Sequence, residues 1–348
     1  TADRYTLIKR LYYDLLGLPA PVEEVDRFAD NPSETAYEQL VERLLASPRF
    51  GERWGRHWLD KARYADSDGY EKDNPRPNAW HYRDWVIAQI NADLPFDRFT
   101  IEQLAGDLVD DVDDASLLAT AFNRQTLTNT EGGTDQEQWR VAAVMDRTET
   151  LGTVWLGLTV GCARCHSHKY DQISQDEYYQ LYAFFNNGDE TSRELVTPSQ
   201  AKQKVRLVTQ RKESLRKTKV LHRGDFLQPQ HEVFTNTLGT LPAFASRTGN
   251  SNQADRLDLA HWLVGGDNPL PPRVAVNHVW KHLFGHGLVR TTNDFGIRGE
   301  PPTHPLLLDW LAAELVYRNW SRKDLIRAIV LSSTYRQASQ HRERFEEI

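Results

Sequence analysis

Gly161-Cys162-Ala163-Arg164-Cys165-His166-Ser167-His168-Lys169-Tyr170-Asp171 contains both cysteines of the 348-residue chain. A Cys-x-x-Cys-His run has the spacing that attaches c-type haem. Two thiols add across the porphyrin vinyl groups, and the adjacent histidine offers a ring nitrogen to the iron. Three other chemistries use the same residues. A thioredoxin-like dithiol needs a strand before the first cysteine and a helix starting at it, and neither pattern is evident. A zinc site needs four ligands, which Cys162, Cys165 and two histidines can supply. A coincidental pair of buried cysteines is the last.

The composition sets the frame for that motif. With 39% hydrophobic and 26% charged residues and a net charge of -7, the chain reads as a globular protein. Its length predicts about two domains, and a core of that size needs no disulfide staples, so the cysteines are free for chemistry. A mildly acidic balance argues against nucleic acid as the main partner, and no apolar run approaches a membrane span. The sequence opens at Thr1, as either a mature product or a trimmed chain would, so its compartment has to be read from its chemistry. Met145 is the one thioether able to ligate iron, and histidine is the expected second axial ligand.

Outward from the motif, the apolar spacing is mostly helical. Upstream, Val144, Thr148, Leu151 and Trp155 predict a helix over 138–158 that delivers its end to the cysteines. Downstream, Ser174-Gln175-Asp176-Glu177 is a capping box opening a helix with Tyr178, Leu181, Tyr182 and Phe185 as one stripe. Nearer the start, Leu7, Leu11, Tyr12 and Leu15 predict a first helix stopped by Gly17. Tyr37, Leu40, Val41, Leu44 and Leu45 predict a second, after Pro32-Ser33. Trp80 to Asn91 reads as another helix, broken by Pro95, and Thr100-Ile101-Glu102-Gln103 as a capping box for the next. Lys202 to Arg223 is strongly basic and helix-like, which suits an acidic partner or a solvated face. Arg256 to His341 is again helical, and Ser321-x-x-Asp324 opens its final helix. The fold class is mainly α. The expected parts are a haem-attachment domain over 1–190, a connector or arm over 191–255 and a helical domain over 256–348.

Three further places carry chemistry. Phe50 to Asp73 is dense in polar and aromatic residues. As a helix to Tyr64 it sets His57, Asp60 and Tyr64 on one face and Arg56, Asp60 and Arg63 on an adjoining one, either as surface ion pairs or as a site wall. Asp66-x-Asp68-Gly69 hints at calcium, without the rest of the loop that binds it. Asn129 to Asp135, with Gly132-Gly133, reads as a turn, with Glu131 as an acid/base candidate. On the later helix, His278 and His282 stand at i, i+4, a spacing that can clasp a metal or offer one ligand to haem.

Several stretches together resemble a known family. His57-Trp58-Leu59-Asp60 with Arg63-Tyr64-Ala65-Asp66-Ser67, Tyr82-Arg83-Asp84-Trp85, Gln103-Leu104-Ala105-Gly106-Asp107, Glu131-Gly132-Gly133, Asp146-Arg147 and Leu156 through Lys169 resemble the planctomycete DUF1549 domain, also called the second planctomycete cytochrome domain. Asn268-Pro269-Leu270, Arg273 to Asn277, Phe284 to Val289 and Ser333 to Gln337 resemble its companion, DUF1553. The resemblance implies haem c on Cys162 and Cys165, with His166 as proximal ligand. It also implies export, periplasmic or beyond, in a setting of polysaccharide breakdown. Members commonly carry a leader cytochrome domain and a long insertion, and with neither in this sequence the expectation is a compact or trimmed version.

The expectation is an exported c-type haem protein with redox function that oxidises a small polar or carbohydrate substrate and passes electrons to a partner protein. His57, Asp60, Arg63, Asp66, Glu131, His168 and Lys169 are expected to line its pocket, with His57 or His282 as the distal ligand. A pure electron-transfer module and a haem-free zinc- or calcium-dependent hydrolase are the alternatives.

Overall fold

The structure is a computed structural model and describes residues 1–196, 202–250 and 254–339. Nine α-helices precede the first strand: α1 (Arg4–Leu16), α2 (Val22–Ala29), α3 (Ala36–Leu45), α4 (Pro48–Ala62), α5 (Trp80–Asn91), α6 (Phe96–Ala105), α7 (Asp114–Ala119), α8 (Gln136–Leu151) and α9 (Gln175–Asn186). Two hairpins follow, β1 (Gly188–Val196) with β2 (Lys202–Gln210) and β3 (Thr218–Leu221) with β4 (Pro229–Val233), both antiparallel. Then come α10 (Arg256–Leu263), α11 (Leu270–Phe284), α12 (Pro305–Tyr317) and α13 (Arg322–Leu331). The fold is mainly α. The helical reading of the last part extends to His341, whose end lies outside the described residues.

Local signals account for most boundaries. Asp3 caps α1 through the Thr6 N–H, and Gly17 ends it in the left-handed conformation at φ +70°. Ser174 and Glu177 form the reciprocal capping box of α9, and Ser321 caps α13 through the Asp324 N–H. Two expectations fail. Thr100 does not open a helix: α6 starts at Phe96 after Pro95, and Thr100 lies inside it, fully buried, its hydroxyl accepting from the Trp155 indole at 3.0 Å. The basic stretch 202–223 is not helical but mostly strand and turn. In β2 the charges of Lys204 and Arg206 alternate with buried Val205 and Leu207, which is a period of two. α2 had no sequence expectation; it is only eight residues long and buries one side chain fully, Phe28.

The C-terminal helices pack on the first part of the chain. One continuous core runs from Leu7 to Tyr335. α13 packs on α3, α10 on α6, and α11 on the π-helical turn Gly152–Leu156 that extends α8. Polar ties follow the same seams. The Tyr37 hydroxyl donates to the Val330 carbonyl at 2.9 Å, and the Phe96 N–H to the Trp320 carbonyl at 3.0 Å. Arg256, fully buried, pairs with Asp107 at 2.8 Å and donates to the Leu104 carbonyl at 2.6 Å. Next to the motif, Gly157 at φ +60° lets the chain turn directly under Phe295 and Val274. Its carbonyl accepts from the Phe295 N–H at 2.7 Å. α11 is thereby seated against the end of α8, and that seam builds the cavity described next.

Candidate functional site

A cavity of about 500 Å³ opens between α4, α8 and α11. Each helix presents one face to it. α4 brings His57 and Lys61 at i, i+4 with Asp60 beside them, and α11 brings His278 and His282 at i, i+4 with Lys281. α8 and its π-helical extension bring Asp146, Glu149, Thr150 and Thr153 at helical spacing. A smaller apolar cavity of about 80 Å³ lies behind the same wall, against Trp54, Trp58 and Phe96, and shares His57, Lys61, His278 and His282.

The wall is built on a stacked pair of imidazoles. His57 and His282 lie with ring centroids 3.6 Å apart and planes 18° off parallel, and Trp54 meets both edge-on. Two imidazolium ions at that distance would repel strongly, so the stack needs neutral rings. Burial, and after it the His282 ring and nearby arginines, push His57 down to about 3. Burial, then Lys61 and Lys281, push His282 down to about 4. Burial likewise holds His278 well below the usual histidine range. Lys61 is pushed down to about 7 by burial and then by Lys281. On the opposite side burial raises Glu149, whose carboxylate accepts from the Tyr178 hydroxyl at 3.2 Å. The cavity therefore holds a lysine poised to titrate near neutrality and a carboxyl shifted towards its protonated form.

Glu149 also joins the cavity to the cysteine motif. A Cβ on Gly161 would stand 3.1 Å from the Glu149 carboxyl carbon, so the residue before Cys162 is packed against this acid. The motif itself is a surface 3-10 turn, Val160–Arg164, pinned to α9 by the Tyr179 hydroxyl and Gln175 amide donating to the Arg164 carbonyl at 3.1 and 3.0 Å. Both cysteines are free; Cys162 is exposed, and Cys165 is half-buried, its sulfur against Gly224. His166 is exposed, with Nδ1 2.8 Å from the Ser167 carbonyl. A carbonyl only accepts, so Nδ1 carries a proton, which leaves Nε2 as the nitrogen that ligates when the ring is neutral. That is the tautomer a metal-ligating histidine adopts, with its second nitrogen oriented by a backbone carbonyl. Reachable thiols and a histidine in this tautomer fit the donor set that a covalent haem requires.

The expected pocket residues divide. His57, Asp60, Arg63 and His282 line the cavity, with Arg63 paired to Asp146. Asp66, Glu131, His168 and Lys169 do not. Asp66 accepts from the Tyr64 hydroxyl, and Glu131 pairs with Lys72 at 3.2 Å. Lys169 lies over the Tyr170 ring. His168 is a structural residue: Nδ1 accepts from the Asp171 N–H at 2.8 Å, and Asp171 in turn accepts from the Ile297 N–H at 2.7 Å, holding the segment after α11. Asp68, the second acid of the calcium hint, is buried and shared between Arg76 and Arg206. Among the described residues no three His, Cys, Asp or Glu side chains gather as a metal site. Lys61, Asp146, Glu149 and Lys281 had no place among the expected site residues. Lys61 had a local signal, its i, i+4 relation to His57, but the partners that bury it lie more than two hundred residues away.

Comparison with known proteins agrees with this arrangement in two parts. Residues 1–190 match PSCyt2, described as a protein of unknown function (DUF1549), and residues 255–348 match PSD1, described as a protein of unknown function (DUF1553). No curated protein and no solved structure matches the chain. With its N-terminal match covering more than half of the sequence, the chain belongs to the DUF1549 (PSCyt2) family, followed by a DUF1553 (PSD1) region.

Proposed function

We propose that this is an exported c-type haem protein with redox function, in which Cys162 and Cys165 hold the porphyrin and His166 offers Nε2 to the iron. The observation that carries the reading is the His166 tautomer beside two reachable thiols on one surface turn. When bound there, haem supplies a one-electron acceptor that passes electrons to a partner protein. The cavity between α4, α8 and α11 is the proposed substrate pocket. Oxidation of a substrate CH–OH to C=O would release two electrons, passed one at a time through the haem to the partner protein, and two protons, which leave to solvent, while Lys61 orients the substrate. The Glu149 carboxylate accepts a hydrogen bond from a substrate hydroxyl, and the neutral His57–His282 stack shields the floor from water. The proposed substrate is a small polar or carbohydrate molecule, since the lining offers hydroxyl, amide and charged groups.

The test is the intact mass and the reduced pyridine-haemochrome spectrum of protein made with a haem-attachment system. The expected result is one covalently added haem with a c-type spectrum, lost in Cys162→Ala/Cys165→Ala. An unmodified mass with two free thiols under the same conditions overturns the reading.

A further inference from the structure

Lys61 and Lys281 share one wall of the large cavity, and among the described residues no carboxylate is ion-paired to either. The effects acting on Lys61 are its burial and the neighbouring Lys281, and no carboxylate is among them. Among the described residues Lys281 donates to the Thr292 hydroxyl alone, at 3.5 Å. Of the acids lining the cavity, Asp146 pairs with Arg63 and Glu149 accepts from the Tyr178 hydroxyl, while Asp60 is exposed and pairs with neither lysine among the described residues. Behind the lysines, His57 and His278 each bury an Nε2 that has no hydrogen-bond partner among the described residues, and His278 is only 8% exposed. Buried polar groups are normally satisfied, so two lysines without a carboxylate partner on one cavity wall mark a place for an anionic ligand.

The rest of the lining limits what that ligand is. Thr150, Thr153 and Asn293 offer hydroxyl and amide partners at the same cavity. Asp60 and Glu149 stand in it as well, so a second negative charge on the ligand would be repelled. The apolar cavity behind the histidines is only about 80 Å³, too small for a long hydrocarbon tail. We infer that the cavity binds a small monocarboxylate bearing hydroxyl groups, with its carboxylate taken by Lys61 and Lys281 and its hydroxyls by the threonines and Asn293. This deepens the reading of the cavity as a substrate pocket and does not depend on the haem.

The experiment is isothermal titration of D-gluconate into the full chain produced without haem attachment, at pH 6.5 and low salt, with D-glucose and acetate as comparison probes. Gluconate is expected to bind, glucose to give no saturable heat, and acetate to bind at least ten-fold more weakly. Lys61→Met is expected to weaken gluconate at least ten-fold, and Lys61→Arg to keep most of the affinity. Lys281→Met, at the more exposed lysine, is expected to weaken binding in the same sense and carries the test if Lys61→Met does not fold. Equal binding of glucose, no saturable binding of gluconate, or an unchanged affinity in the folded methionine variants overturns the inference. A protein that never acquires haem but binds gluconate removes the haem reading and leaves this one standing.

Discussion

Acidification should unlock the His57–His282 stack, and its effect on stability can be worked out from the folded-state values. Both rings titrate near 6.5 when unfolded, against about 3 for His57 and about 4 for His282 in the fold. As pH falls the unfolded chain takes up these protons first. The stability contributed by the neutral stack is therefore fully present above pH 6.5 and is lost as pH falls towards 4 and 3. Between pH 7.5 and 5.0 each unfolded ring gains nearly one proton that the folded ring does not, worth about 2 kcal/mol per ring. Neither ring is fully shielded from water, so screening reduces the expected total for the pair to about 2 kcal/mol. The assay is urea denaturation at both pH values for the native chain and for His57→Gln/His282→Gln, with m compared to confirm two-state unfolding. Carboxylates and the remaining histidines titrate in both proteins, so the difference isolates the stack. The native chain should lose about 2 kcal/mol more than the variant. Equal losses would refute the argument that these rings are held neutral.

Two predictions concern the seams that create the cavity. Arg256→Ala leaves Asp107 buried without its cation and should cost about 3–5 kcal/mol in denaturant unfolding. Asp107→Asn should cost a comparable amount, with the double variant well short of the sum; a loss below about 1 kcal/mol for either would show that the pair does not hold α10 on α6. Gly157→Ala places a methyl 2.8 Å from Phe295 and 2.9 Å from Val274 at a left-handed φ, and the two penalties together should reach about 2–4 kcal/mol. Gly132→Ala, with nothing within 4 Å, should stay within about 0.5 kcal/mol and serves as the control.

Much of the fold is carried by local patterns. α1, α3, α4, α5, α8 and α9 follow from apolar residues at three- and four-residue spacing and from caps such as Ser174 with Glu177. These signals lie within a few turns of chain, where side chains three and four apart are neighbours whatever the rest of the molecule does. The cysteine motif is legible for a similar reason, because attachment chemistry depends on spacing along one turn. The β2 strand was masked because counting lysines and arginines hides a two-residue alternation. Thr100 carries the letters of a helix cap, yet it is buried under Trp155, a residue far along the chain.

The candidate site belongs to the other class. His57 and His282 were each legible as ligand candidates from their own segments, but that they stack on one another at 3.6 Å is decided by α11 closing on α4. The same closure makes Lys61 a titrating group near neutrality and separates His57, Asp60 and Arg63 from Asp66, Glu131, His168 and Lys169. Residue type and local spacing determine which groups are available and which helices carry them. Burial, mutual charge and the absence of a partner arise only when distant helices pack, because these properties depend on what stands a few ångströms away in space rather than along the chain.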